Sequence, residues 1–209
     1  MVSSMDYLKA LEFATKKHEG SIRIGGESYI THPIEVAKIL REKGYDEKVQ
    51  ITALFHDLLE DTDATETEIL QLSSEHILHD VKLLTKEKDY EMEEYISRIR
   101  KSKNALSVKL ADRLHNLRCA LTADEGFRRR YIAETWDYYH ALSSLTPFEK
   151  DIREAVEELS KTILNEFYCT RCKKWLKNEY IADKESRDGR KLCKSCLVDY
   201  EISFDEFED

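Results

Sequence analysis

The stretch Ile51-Thr-Ala-Leu-Phe-His-Asp-Leu-Leu-Glu-Asp61 sets His56, Asp57, Glu60 and Asp61 into an otherwise apolar run. Read as one helix, the i and i+4 spacing puts these four on adjoining faces. Ala53, Leu54, Leu58 and Leu59 cover much of the rest. A helix that is apolar over most of its circumference belongs in a core, where charged groups are rarely buried without partners or a metal. Two further residues complete a ligand set: His32 in Tyr29-Ile-Thr-His-Pro33, and Asp112 in Lys109-Leu-Ala-Asp-Arg-Leu-His-Asn-Leu-Arg118. Two neutral imidazoles and two carboxylates suit a divalent first-row ion with positions open to water and substrate. His32, His56, Asp57 and Asp112 are therefore the candidate metal ligands.

Helices must carry them. Pro33 fits the first position of a second helix, with Glu35 near its N-terminal donors and Gly44 as its stop. Asp46 is placed to cap the organising helix, and Thr65 with Glu68 forms a capping-box signature. Leu106, Leu110, Leu114, Leu117 and Leu121 draw an apolar stripe, leaving Asp112, His115 and Asn116 on the polar face. Leu8, Leu11, Phe13 and Ala14 pattern a first helix, and Asp124 caps one running through Trp136, Tyr138 and Tyr139. Thr146-Pro-Phe-Glu149 starts a last helix expected to reach about Phe167. With no persuasive strand, the pattern predicts an all-α bundle.

The order of a His, an adjacent His-Asp pair and a distant Asp resembles the HD family of metal-dependent phosphohydrolases. Residues 18–33, 54–62 and 109–118 narrow the resemblance to the hydrolase domain of RelA/SpoT-type alarmone enzymes and small alarmone hydrolases, over about residues 5 to 145. That resemblance implies an HD-type helical bundle, manganese at the His/Asp site, and Glu60 and Asp61 as the pair that positions water and moves its protons. It also implies that Arg23 stacks on or flanks a guanine base, that Lys88 lies near the substrate phosphates, and that Asn116 contacts the ribose. Family members commonly carry a second basic residue after the arginine, whereas this chain has Ile24. His76 and His79 match no metal position and read as structural or surface histidines.

The 209 residues suffice for one mid-sized domain and a small appendage, and a net charge of −9 argues against broad nucleic-acid binding. No long apolar run and no signal-like N-terminus occur, which reads as a soluble cytoplasmic protein without membrane association. Cys169-x2-Cys172 and Cys193-x2-Cys196 have zinc-site spacing, favoured over a disulfide framework, so a zinc-ribbon-like module with structural Zn2+ is expected over 167–209, after a helical domain over 1–166. Cys119 reads as an inert core or boundary thiol. Residues 169 to 194 carry nine Lys or Arg against four Asp or Glu, followed by an acidic tail. A protein partner fits this module better than nucleic acid.

The resemblance implies hydrolysis of the 3′-pyrophosphate of guanosine tetra- or pentaphosphate. The residues alone reach metal-dependent phosphoester hydrolysis. Two alternatives are a phosphatase acting on another phosphorylated nucleotide or a dinucleotide cofactor, which Ile24 keeps open, and a non-enzymatic nucleotide sensor. The retention of Glu60 and Asp61 argues against the sensor, which needs a pocket but no proton-handling pair.

Overall fold

Apolar residues at helical spacing gather α1 (Tyr7–Lys17), α2 (Thr31–Glu42), α3 (Glu47–Phe55) and α8 (Lys103–Cys119) into the centre of the computed structural model, which describes residues 7–23, 25–182 and 190–197. Around them lie α4 (Leu58–Asp61), α5 (Glu66–Leu72), α6 (Glu75–Leu84), α7 (Met92–Ile99), α9 (Glu125–Glu134), α10 (His140–Ser143) and α11 (Glu149–Ser160). Phe55, Tyr95, Tyr139 and Phe148 are the bulkiest fully buried side chains. The expected caps form: Asp46 accepts from the Val49 N–H, Asp124 from that of Phe127, and Thr65 and Glu68 make a reciprocal box. Ala10 and Ala14 bury α1, whereas Leu8 is exposed, as is Leu121 just beyond the end of α8.

Three boundaries depart from the sequence reading. The organising helix is two helices, broken at His56 and Asp57. The His56 ring supplies the reason: its Nδ1 lies 2.7 Å from the Ala53 carbonyl, the acceptor that the Asp57 N–H would use in an unbroken helix. The second helix starts at Thr31, so Pro33 is its third residue, where a missing N–H still costs nothing. Glu35 does not cap it but pairs with Lys38.

The last helix stops at Ser160 rather than near Phe167. Asn165, with φ of 63°, turns the chain into β1 (Glu166–Cys169), which pairs antiparallel with β2 (Lys174–Lys177), Glu166 opposite Lys177 and Cys169 opposite Lys174. Four-residue strands leave little periodicity to read. Alternation along β1 nevertheless divides its labour. Phe167 and Cys169 join Leu192, Cys193 and Cys196 in a small core, while Tyr168 packs into the helical core. The Tyr168 hydroxyl bonds Asp137, Glu166 pairs with Arg129 at 2.5 Å, and the Arg129 guanidinium lies 4.6 Å from the Trp175 ring centroid. The C-terminal module thus grips α9 and the π-helical segment Thr135–Tyr139 that continues it. No helix among the described residues is long and apolar enough to cross a membrane.

Candidate active site

α2, the α3–α4 turn and α8 converge on one point. His32 Nε2 lies 3.2 Å from Asp112 Oδ1 and 3.7 Å from Asp57 Oδ2; His56 Nε2 lies 3.0 Å from Asp57 Oδ2 and 4.0 Å from Asp112 Oδ1. Ligand atoms of His32, His56 and Asp57 all fall within 4.8 Å of one another. The structure therefore brings together all four ligands expected from the sequence. His56 Nε2 is buried with no hydrogen-bond partner among the described residues, and the Asp57 carboxylate lies 3.0 Å away. A fixed, buried nitrogen facing two carboxylates fits a divalent cation.

Electrostatics point the same way. Burial disfavours an imidazolium at His56, but Asp57 and Asp112 outweigh burial and raise its pKa to about 9. Burial pushes Asp57 up, yet the charge of His56 holds it below the usual carboxylate range. The cluster draws positive charge strongly, and a bound cation would displace the proton on His56. Asp112 is likewise lowered: burial opposes ionisation, and the Lys109 ammonium, 2.7 Å from Oδ2, overcomes it. Asn116 donates to the other oxygen, Oδ1. Lys109 and Asn116 thus fix how Asp112 presents itself.

Glu60 and Asp61 follow on α4, and both line a cavity of about 430 Å³ that also reaches His32, Asp57 and Asp112. The Tyr29 hydroxyl lies 2.7 Å from Asp57 Oδ2 and 2.9 Å from Asp61 Oδ2, tying the candidate base to a candidate ligand. Burial first, then the Asp57 charge, raises the pKa of Asp61. Glu60 accepts from the Lys86 backbone N–H at 3.0 Å, with the Lys86 ammonium 3.7 Å away.

Arg23 also lines the cavity, donating to Asn116 Oδ1 at 2.9 Å. Its loop turns back through Gly25 and Gly26, whose φ values of 113° and 90° suit glycine, and the Ile22–Ser28 bridge closes it. Ile24 lies outside the described residues. Lys88 is not brought to the site. The chain leaves α6 at Thr85, Glu60 holds the Lys86 N–H, and by Asp89, at φ of 60°, the chain has turned outward and exposed Lys88. Lys86 lines the cavity in its place.

Sequence reasoning passed over several residues. Lys109 stands three positions before Asp112 on one helix, a spacing that signalled contact, whereas Tyr29 reaches Asp57 and Asp61 across the fold, which no local spacing marks. His115 lies on the polar face as expected, but its partners are unforeseen: Nδ1 is 2.7 Å from His32 Nδ1, and Nε2 is 3.5 Å from Cys119 Sγ. Burial and His32 lower its pKa to about 4, so it meets His32 as a neutral ring. Of the two expectations for Cys119, core or boundary thiol, the structure gives the boundary one: it is exposed and lines the cavity. His76 and His79 are exposed.

The second cluster is sulfur. Sγ atoms of Cys169, Cys172, Cys193 and Cys196 lie within 4.8 Å of one another, and none is in a disulfide. Burial raises the Cys169 thiol, but backbone N–H groups of Cys172, Cys193 and Arg171 bring it to about 7. Four converging sulfurs suit a tetrahedral metal site.

A model of the HD domain matches residues 10–145. The chain is 38% identical over 168 residues to a GTP pyrophosphokinase rsh of Brucella melitensis biotype 1, covering 75% of this chain and 22% of that protein. It is 36% identical over 143 residues to a guanosine-3′,5′-bis(diphosphate) 3′-pyrophosphohydrolase of Aquifex aeolicus, covering 65% of this chain and 20% of that one. The chain thus spans about a fifth of the length of these curated relatives. Among solved structures, one described as a metazoan ortholog of SpoT that hydrolyzes ppGpp superposes with a TM-score of 0.65 at 28% identity, covering 76% of this chain and 97% of that chain. The lmo0812 protein of Listeria monocytogenes superposes with a TM-score of 0.51 at 25% identity, covering 64% and 98%.

Proposed function

The chain belongs to the HD domain family, and on that footing we propose that it is a metal-dependent phosphohydrolase removing the 3′-pyrophosphate of guanosine tetra- or pentaphosphate. The observation that carries this reading is the His32, His56, Asp57 and Asp112 cluster with Glu60 and Asp61 in the same cavity. The Aquifex relative is named for that reaction and the metazoan SpoT ortholog is described as hydrolyzing ppGpp, which supports the choice of substrate. The four ligands would hold a divalent ion, proposed as Mn2+, which supplies a more acidic water and offsets phosphoryl charge when bound. The side chains do the rest. Glu60 and Asp61 hold the attacking water and take its proton, and Tyr29 keeps Asp61 beside the ligand cluster. Lys86, not Lys88, meets phosphate. Asn116 takes the ribose, and Arg23, fixed by Asn116, flanks the base.

The proposed organisation is a hydrolase domain over 1–166 and a module over 167–209 built on structural Zn2+ held by Cys169, Cys172, Cys193 and Cys196. The module is also the proposed contact for a protein partner; the acidic tail, residues 198–209, lies outside the described residues. A second reading, a phosphatase for another phosphorylated nucleotide or dinucleotide cofactor, draws on Ile24, which offers no charge where a basic residue is common. The test is turnover by the manganese-loaded chain against guanosine tetraphosphate, other 3′- and 2′-phosphorylated nucleotides and dinucleotide cofactors. Preference for a substrate without guanine selects the second reading.

A further inference from the structure

His18, directly after α1, takes no part in the chemistry proposed for the cavity. It is 1% exposed, and both of its ring nitrogens are buried with no hydrogen-bond partner, a state that no other histidine among the described residues shares. Buried polar atoms left unpaired cost stability, so the nitrogens do not account for an imidazole at this position. What the ring does make is a stack: it lies against the Tyr29 ring with centroids 4.7 Å apart and planes 29° apart. Burial lowers its pKa, so the ring is neutral and sets no charge beside the ligand cluster. The other rings and cations near Tyr29 are looser: His32 meets it edge-on at 6.0 Å, and the Arg23 guanidinium, held by Asn116, is 6.0 Å from its centroid.

The Tyr29 hydroxyl needs that support. It carries one hydrogen, and two carboxylate oxygens compete for it, Asp57 Oδ2 at 2.7 Å and Asp61 Oδ2 at 2.9 Å. With distances so nearly equal, a small swing of the ring gives the hydrogen to one carboxylate and abandons the other. The backbone does not prevent the swing: the Tyr29 N–H is tied to the Ser21 carbonyl at 2.9 Å, which fixes the main chain and leaves the side chain free to turn. Resting on the proposed hydrolase reading, we infer that His18 is a positioning residue: stacked on Tyr29, it holds the hydroxyl between Asp57 and Asp61, and so sets the candidate base relative to the candidate ligands. His18 does not line the cavity, so it acts without meeting substrate. Its effect therefore belongs to the chemical step and not to nucleotide binding.

The test joins steady-state kinetics of the manganese-loaded full chain on guanosine tetraphosphate to NMR of the full chain carrying ¹³C-labelled tyrosine. The spectra are recorded without Mn2+, which would broaden them, and the Tyr29 Cζ signal, which reports hydrogen bonding of the hydroxyl, is the one lost in Tyr29→Phe. His18→Ala should lower kcat about tenfold or more, the scale of a reacting group displaced by a fraction of an ångström, and leave KM within about twofold. His18→Phe keeps a flat ring against Tyr29 and should restore most of the lost kcat. In a Tyr29→Phe background the hydroxyl is gone, so His18→Ala should lower kcat no further. The Tyr29 Cζ signal should shift in His18→Ala and return toward its native position in His18→Phe. A KM that rises while kcat holds, or losses of kcat that multiply in the double variant, overturn the inference. So does an unmoved Tyr29 signal in His18→Ala, which is read whether or not the chain turns over the nucleotide. If the wild type hydrolyses no phosphorylated nucleotide while that signal moves and returns as expected, the hydrolase reading falls and the placement of Tyr29 by His18 stands.

Discussion

Lys109 and Asp112 offer the sharpest perturbation, because both are buried and the ammonium lies 2.7 Å from Asp112 Oδ2. Lys109→Met keeps most of the side chain's volume while removing its charge, leaving Asp112 ionised in the interior beside His32, His56 and Asn116. Breaking a buried pair from one side costs about 3–5 kcal/mol. At about 2–4 °C per kcal/mol for a chain of this size, Tm should fall by roughly 6–20 °C. Part of that loss should return with metal, since a divalent ion at about a hundred times its Kd adds about 2.7 kcal/mol to the folded state. Asp112 without Lys109 is the more electron-rich ligand, so the metal-induced rise in Tm should be larger in Lys109→Met than in the wild type. Thermal melts followed by circular dichroism, with and without saturating Mn2+, measure both quantities. A variant that melts within about 2 °C of the wild type, or gains less from metal than it does, refutes the reasoning.

The remaining predictions address separate links. Glu60→Gln should lower kcat by about a hundredfold or more in steady-state assays, the scale of a positioned acid–base group. Arg23→Ala should chiefly raise KM, by about tenfold, for loss of a contact near 1.4 kcal/mol. His56, with its pKa raised to about 9, must lose a proton before it can ligate, so Mn2+ affinity should climb about tenfold per pH unit toward 9 and then level off. Calorimetry in two buffers should register the released proton, and pH-independent affinity would count against His56 as a ligand. Cys193→Ser should release zinc by elemental analysis and lower Tm. Because Tyr168 and Glu166 hold α9 and the π-helical segment, the loosening should also raise KM; an unchanged KM would show that the grip does not reach the cavity wall.

The candidate ligand quartet was legible in the sequence because His, His-Asp and Asp stood out against apolar helical stripes, and such residues need compensation wherever they are buried. The caps at Asp46, Thr65 and Asp124 were legible because they are local. What escaped was set by tertiary contacts. Periodicity does not register that the His56 ring takes the Ala53 carbonyl and interrupts the helix. Lys86 and Lys88 are chemically alike, and only the turn at Asp89 decides which faces Glu60. β1 was hidden because Phe167 and Tyr168 are both buried, each against a different core, so no alternation of polar and apolar residues marks the strand. Nothing in the sequence singles out Arg113, whose place between two tyrosines is set by the tertiary structure.

The most direct test of the account is product analysis. The manganese-loaded chain is incubated with guanosine tetraphosphate, and its phosphorus products are resolved by ³¹P NMR beside an Asp57→Ala control. The account requires guanosine 5′-diphosphate and pyrophosphate in equal amounts from the wild type and neither from the control. Orthophosphate as the released product, or undiminished turnover by a folded Asp57→Ala protein, contradicts it.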